Sequence, residues 1–185
     1  PKIENELKDL ITTQMQKLYE FSPRREEIQL TVGGIGALFA GLMTVLQKND
    51  EVIYFDPSYP LHLAQIYLTE ARPSFVPLVE ERGWAPDLEK LRESITKRTK
   101  AIILTNPNNP TGTIWKKNEV EALAQIIIDR GLILILDEAY DFLTYENHLF
   151  SPMKIEELRS NIILCKSFSK EFAMTGWRIG YSWSN

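Results

Sequence analysis

Hydrophobic positions along this 185-residue chain follow two periods that alternate from one end to the other. Ile3, Leu7, Leu10, Ile11, Met15 and Leu18 recur three and four apart, the stripe of an amphipathic helix. Residues 87–95 and 118–130 repeat that spacing, the second ending at Gly131, the residue type that most readily takes the left-handed turn after a helix. A further helix is predicted over 37–46. Between the helices lie short apolar runs at 28–32, 51–56, 73–79, 101–106, 132–137, 161–166 and 177–183, several of them rich in β-branched residues. Strands apolar on both faces and separated by helices predict an α/β fold, a seven-stranded and mostly parallel sheet with helices on both sides. In such a sheet the ligand site lies at the carboxyl ends of the strands, so the polar residues at those ends are the ones to examine. No repeat, low-complexity tract or linker interrupts the pattern, and one domain over residues 1–185 is expected.

The run 161–166 leads into Ser167-Phe168-Ser169-Lys170, and Arg178 follows eight residues after the lysine. A lysine flanked by hydroxyls and a second cation suits a phosphorylated aldehyde: the amine condenses with the carbonyl, while serine and arginine take the phosphate. Pyridoxal 5'-phosphate (PLP) is such a molecule. At the end of the first run, Gly33-Gly34-Ile35-Gly36 opens a strand-to-helix turn whose backbone amides and helix terminus suit a phosphate, or simply a tight turn with close packing. It is neither the dinucleotide fingerprint nor a P-loop, since no third glycine is correctly spaced and no lysine follows.

Other run ends supply further candidates. Tyr59, in Asp56-Pro57-Ser58-Tyr59-Pro60, is placed either to stack on a flat heteroaromatic ring or to pack as a turn tyrosine on the surface. Asn109 sits in a stretch stiffened by Pro107, Pro110 and Gly112, where its amide can bond a ring oxygen or a carboxylate. Asp137 closes a fully apolar strand, where an anion is costly unless it meets a cation. A protonated pyridine nitrogen would be that cation; a metal ion and a helix cap are the alternatives. Tyr140, three residues on, is within reach of the ring's phenolic oxygen.

Composition narrows the partners. A chain that is 44% hydrophobic and 25% charged buries roughly 70% of its unfolded surface, enough for one α/β core. Its net charge of −4 and lack of a basic block argue against nucleic acid or an anionic membrane, and point to a small molecule. Cys165 is the only cysteine, and His62 and His148 stand apart in sequence, so neither a disulfide nor a metal site is expected. With no signal peptide or membrane-spanning run, a cytoplasmic enzyme is expected. The chain opens at Pro1 without an initiator methionine and stops just after a strand-like run, which reads as a fragment.

In order and spacing, Gly33-Gly34-Ile35-Gly36-Ala37-Leu38, Asn109-Pro110-Thr111-Gly112, Asp137-Glu138-Ala139-Tyr140 and Ser167-Phe168-Ser169-Lys170 through Met174-Thr175-Gly176-Trp177-Arg178 resemble the class I aminotransferases of PLP fold type I. The resemblance implies that Lys170 holds PLP as an imine, Asp137 pairs the pyridine nitrogen, Asn109 and Tyr140 bond the ring oxygen, and Tyr59 stacks on the ring. Ser167, Arg178 and the amides of Gly34, Ile35 and Gly36 would hold phosphate. Ile35 stands where many relatives carry serine or threonine, so one hydroxyl contact is lost. The implied reaction is transamination between an amino acid and a 2-oxo acid, with the released Lys170 amine moving the α-proton. The family further implies a mixed sheet whose last strand runs antiparallel, a homodimer, a small C-terminal domain with a carboxylate-clamping arginine beyond Asn185, and a partner-supplied phosphate-binding tyrosine before Pro1. Two rival readings remain: a carbon–sulfur lyase or decarboxylase built on the same cradle, or a PLP-sensing regulatory domain fused to a DNA-binding module.

Overall fold

A computed structural model describes residues 2–145 and 149–185, so His148 lies outside the described residues. The chain runs through α1 (Lys2–Tyr19), β1 (Ile28–Val32), α2 (Gly33–Val45), β2 (Glu51–Asp56), α3 (Pro60–Leu68), β3 (Arg72–Val79), β4 (Ala85–Pro86) and α4 (Leu88–Ser94). It continues with β5 (Thr99–Thr105), α5 (Lys117–Arg130), β6 (Ile133–Asp137), β7 (Ile162–Ser167), the short α6 (Phe168–Glu171) and β8 (Ile179–Trp183). All seven predicted strands are present, and the two-residue β4 adds an eighth at the sheet edge.

The strand order is β1-β8-β7-β6-β5-β2-β3-β4. Strands β3, β2, β5, β6 and β7 pair in parallel, while β8 runs antiparallel to both β7 and β1. Alternation along the strands explains why the runs are apolar throughout. Ile102, Leu104, Leu134 and Leu136 pack on one face with Ile11 and Met15 of α1 and Leu123 and Ile127 of α5. Ala101, Ile103 and Ile135 pack on the other with Ala37, Leu38 and Leu42 of α2 and Ile66 of α3.

Local signals account for several boundaries. Gly131 takes φ +61° and closes α5, and the Asp87 carboxylate caps α4 by accepting from Lys90 N at 3.0 Å. The α1 stripe is only partly buried, since Ile3 is 80% and Leu10 68% exposed.

Three expectations are corrected. Helix α2 begins at Gly33 rather than at residue 37, directly off β1. Helix α3 was absent from the pattern-based reading; its start is signalled by Pro60 at the first helical position. The last strand begins at Ile179, because Trp177 lies in a 3-10 turn and Arg178 adopts a left-handed conformation.

One edge of the sheet now gathers every candidate. Asp56, Thr105, Asp137 and Ser167 end β2, β5, β6 and β7. Because β8 is antiparallel, Arg178, just before its first residue, arrives at that same edge.

Candidate active site

The amino terminus of α2 forms one end of the site. Val32 contributes no side-chain cap, so N–H groups of the first turn lack the capping partner that a serine or aspartate would give. Gly33 has φ +68°, and a Cβ there would stand 2.4 Å from Arg178 Nη2. A Cβ on Gly180 would meet Gly33 C and Lys166 O, both at 2.5 Å, so β8 packs directly against the turn that opens α2. Arg178 itself has φ +54°, a conformation unfavourable for a residue with a side chain, and its Nη1 donates to Thr175 O at 3.0 Å and Ser169 Oγ at 3.4 Å. Beside it, Ser167 Oγ accepts from Ser169 N at 3.2 Å. A guanidinium and two hydroxyls thus face an uncapped helix terminus, a combination that suits a phosphate-like anion.

The other end is acidic. Asp137 Oδ1 accepts from Ala139 N at 3.1 Å, and Oδ2 lies 3.1 Å from Nε2 of the buried His62. His62 is one turn along α3 from Tyr59, and their rings meet edge-on at 5.3 Å between centroids. His62, which stands apart in the sequence, is therefore joined to Asp137, and its ring holds that carboxylate in one orientation. The signal for this was the spacing Tyr59-Pro60-Leu61-His62, legible only once 60–68 is recognised as a helix.

Between the two ends, Asn109 Nδ2 donates to Tyr140 Oη at 3.2 Å. Neighbouring asparagines fix the loop that carries Asn109. Asn106 Oδ1 accepts from Trp115 N at 3.1 Å, and Asn108 Nδ2 donates to Pro57 O at 3.1 Å and Thr111 Oγ1 at 2.9 Å. Lys170 is exposed on the short α6, with Nζ 5.9 Å from the centroid of the Tyr140 ring. These groups line one cleft of about 380 Å³, together with Gly34, Ile35 and Thr105. Ile35 contributes its backbone to the turn, its carbonyl accepting from Gln65 Nε2 of α3 at 3.0 Å. Gly36 belongs to the same first turn of α2. Among the described residues, no group of three His, Cys, Asp or Glu side chains converges to hold a metal ion.

An α/β sheet with an uncapped helix terminus, a part-buried carboxylate and an exposed lysine gathered at one edge is the layout that the aminotransferase resemblance implies. The sequence matches the family "Aminotransferase class I and II" over residues 1–185, and the chain belongs to that family. It is 38% identical over 176 residues to a probable aspartate aminotransferase of Methanocaldococcus jannaschii, covering 95% of this chain and 46% of that protein. It is 36% identical over 177 residues to the aspartate/prephenate aminotransferase of Thermus thermophilus, covering 96% of this chain and 46% of that protein. Among solved structures, the Thermus thermophilus aspartate aminotransferase with maleate superposes with a TM-score of 0.93 at 35% identity, covering 97% of this chain and 46% of that one. The alanine aminotransferase of Pyrococcus furiosus superposes with a TM-score of 0.92 at 31% identity, covering 96% of this chain and 45% of that one. The chain therefore spans just under half the length of the relatives it matches.

Proposed function

We propose that the protein carrying this chain is a PLP-dependent aminotransferase that moves an amino group between an L-amino acid and a 2-oxo acid. In this reading residues 1–185 supply its cofactor-binding domain. The observation that carries the reading is the polarity of the cleft: an uncapped helix terminus with Arg178 and Ser167 at one end, and Asp137 beside His62 at the other.

The residues fit PLP by their chemistry. The amides of Gly34, Ile35 and Gly36, with Ser167 and Arg178, would hold the phosphate; a Cβ on Gly34 would come within 3.1 Å of Ser167 Cβ, so glycine keeps that approach open. Asp137 would hold a proton on the pyridine nitrogen, since a carboxylate close by favours the cationic form of the ring. Tyr140 and Asn109, already joined to each other, would orient towards the ring oxygen, and Tyr59 would cover a ring face. When bound, PLP supplies an electron sink conjugated to the substrate α-carbon. Lys170 would hold the aldehyde and carry the α-proton as a general acid and base. A homodimer and a cytoplasmic location belong to the same proposal; among the described residues no helix is long and apolar enough to cross a membrane.

Two measurements test this. After incubation with PLP and reduction by borohydride, a pyridoxyl mass should be found on Lys170; labelling spread evenly over surface lysines would remove the basis of the proposal. Because the relatives are named for aspartate, prephenate and alanine, aspartate and alanine with 2-oxoglutarate head the donor panel. Formation of a new amino acid supports transamination, whereas ammonia, sulfide or carbon dioxide released without one would favour the lyase or decarboxylase reading.

A further inference from the structure

On the far side of the sheet from the cleft lies a second polar cluster, one that the proposed chemistry does not use. Glu138 and Lys166 are the sequence neighbours of Asp137 and Ser167, and strand alternation sends them through the sheet to its other face. They are 0% and 2% exposed. Lys166 Nζ forms an ion pair with the nearly buried Asp141 carboxylate and donates to the Glu138 carbonyl at 3.2 Å. Glu138 Oε2 accepts from Tyr19 Oη of α1 at 2.7 Å. A buried ion pair is poorly explained by stability alone, since desolvation often cancels its attraction and apolar side chains of similar size do as well. What distinguishes this one is its wiring. Asp141 follows Tyr140, Glu138 follows Asp137, and Lys166 stands on the strand that leads through Ser167 to Lys170.

We propose that Lys166 and Asp141 are positioning residues: their buried ion pair pins the turn bearing Tyr140 to β7, and so sets the distance between the Tyr140 hydroxyl and the Lys170 amine. The inference rests on the aminotransferase reading. Glu138 adjoins the pair through its main-chain carbonyl, which accepts from Lys166 Nζ, and burial, together with the Asp141 carboxylate, outweighs Lys166 and pushes its carboxyl up to about 7. The other groups facing it are Tyr19 from α1, Tyr181 from β8 and Ser151, while Glu171 of α6 bears on Lys166 and Asp141. Once Glu138 ionises, two carboxylates compete for the single Lys166 ammonium.

The test uses the PLP-loaded enzyme with Lys166→Met, Asp141→Asn and the double variant Lys166→Met/Asp141→Leu. The double variant removes both charges together and leaves no unpaired buried ion. Tyr140→Phe serves as the reference. The pH midpoint of the bound cofactor's visible absorbance should move by about one unit in Tyr140→Phe and in the same direction in the double variant. Combining the two sets should add nothing, because they act on one contact. Turnover in the double variant should fall about ten- to a hundredfold with KM little changed. In the cofactor-free protein, amide exchange over residues 138–141 should accelerate. A double variant that keeps the wild-type midpoint and turnover overturns the inference, even if it melts lower, since that would be packing alone. A wild-type protein that binds no PLP at Lys170 would instead overturn the aminotransferase reading on which the inference rests.

Discussion

Asp137 is the residue on which the proposed chemistry turns. It ends an apolar strand at 15% side-chain exposure, held by Ala139 N and His62 Nε2. A backbone amide and an imidazole orient the carboxylate, which in the proposed chemistry would stabilise a proton on the base that enters the cleft. Asp137→Ala in the intact enzyme should therefore lower kcat about a thousandfold, roughly 4 kcal/mol of barrier, measured by steady-state transamination. PLP binding, followed by equilibrium dialysis, should weaken much less, because the proposed phosphate contacts lie at the other end of the cleft. His62→Ala should fall between wild type and Asp137→Ala, since it removes orientation and leaves the charge. Near-normal turnover in Asp137→Ala would assign the residue to the turn it caps.

At the scale of elements, the proposed phosphate cradle is a junction of β1, α2, β7 and β8. Gly180 lets them meet. An added Cβ there would approach backbone atoms of three residues, Gly33 C and Lys166 O at 2.5 Å and Gly34 N at 2.7 Å. Backbone cannot yield as a long side chain can, so the strands must part. Gly180→Ala should cost about 3 kcal/mol, seen in thermal melting as a Tm lower by roughly 6 to 12 °C, and should weaken PLP binding in step. Gly33→Ala makes a different case. Its Cβ would strike the far end of the Arg178 side chain, which can swing away, but φ +68° adds about 1 to 2 kcal/mol of backbone strain, so the melt should fall by less than in Gly180→Ala while phosphate affinity falls as well. Equal melting losses in the two variants would show that the junction is less tight than these distances indicate. Helix α3 is the other element that builds the site. Its first turn sets His62 against Asp137, with Tyr59 just before the helix edge-on to the imidazole, and Gln65 reaches across to the turn that opens α2.

At the scale of the whole molecule, the buried cluster around Glu138 couples pH to stability. The Glu138 carboxyl titrates at about 7 when folded, against 4.5 for its ordinary value, so the folded state binds its proton more tightly than the unfolded chain does. That contribution is fully present below about pH 4.5 and is lost as pH rises through about 7. Between pH 5 and 8 wild type should lose about 2 to 3 kcal/mol that Glu138→Gln does not lose, measured by urea unfolding at each pH. Parallel pH dependence in the two proteins would mean that Glu138 is ionised throughout.

The sequence by itself determined the class of fold, because apolar runs of strand length alternating with helical stripes have few other ways to bury both sheet faces. It also pointed to the lysine segment, the glycine turn, Asp137, Asn109 and Tyr140, since each stands where a predicted strand ends. What it left out depended on contacts between segments far apart in the chain. His62 beside Asp137 and the Lys166–Asp141 pair arise only when strands and helices are in register, and no local pattern marks a polar partner 75 residues away in the first case or 25 in the second. The eighth strand, of two residues, has no periodicity to read. Arg178 faces α2 because β8 runs antiparallel and the turn before it is left-handed, a matter of chain direction decided by sheet pairing and not by the residue itself. Tertiary structure therefore decided which side chains meet, while spacing along the chain had already decided at which edge of the sheet they would do so.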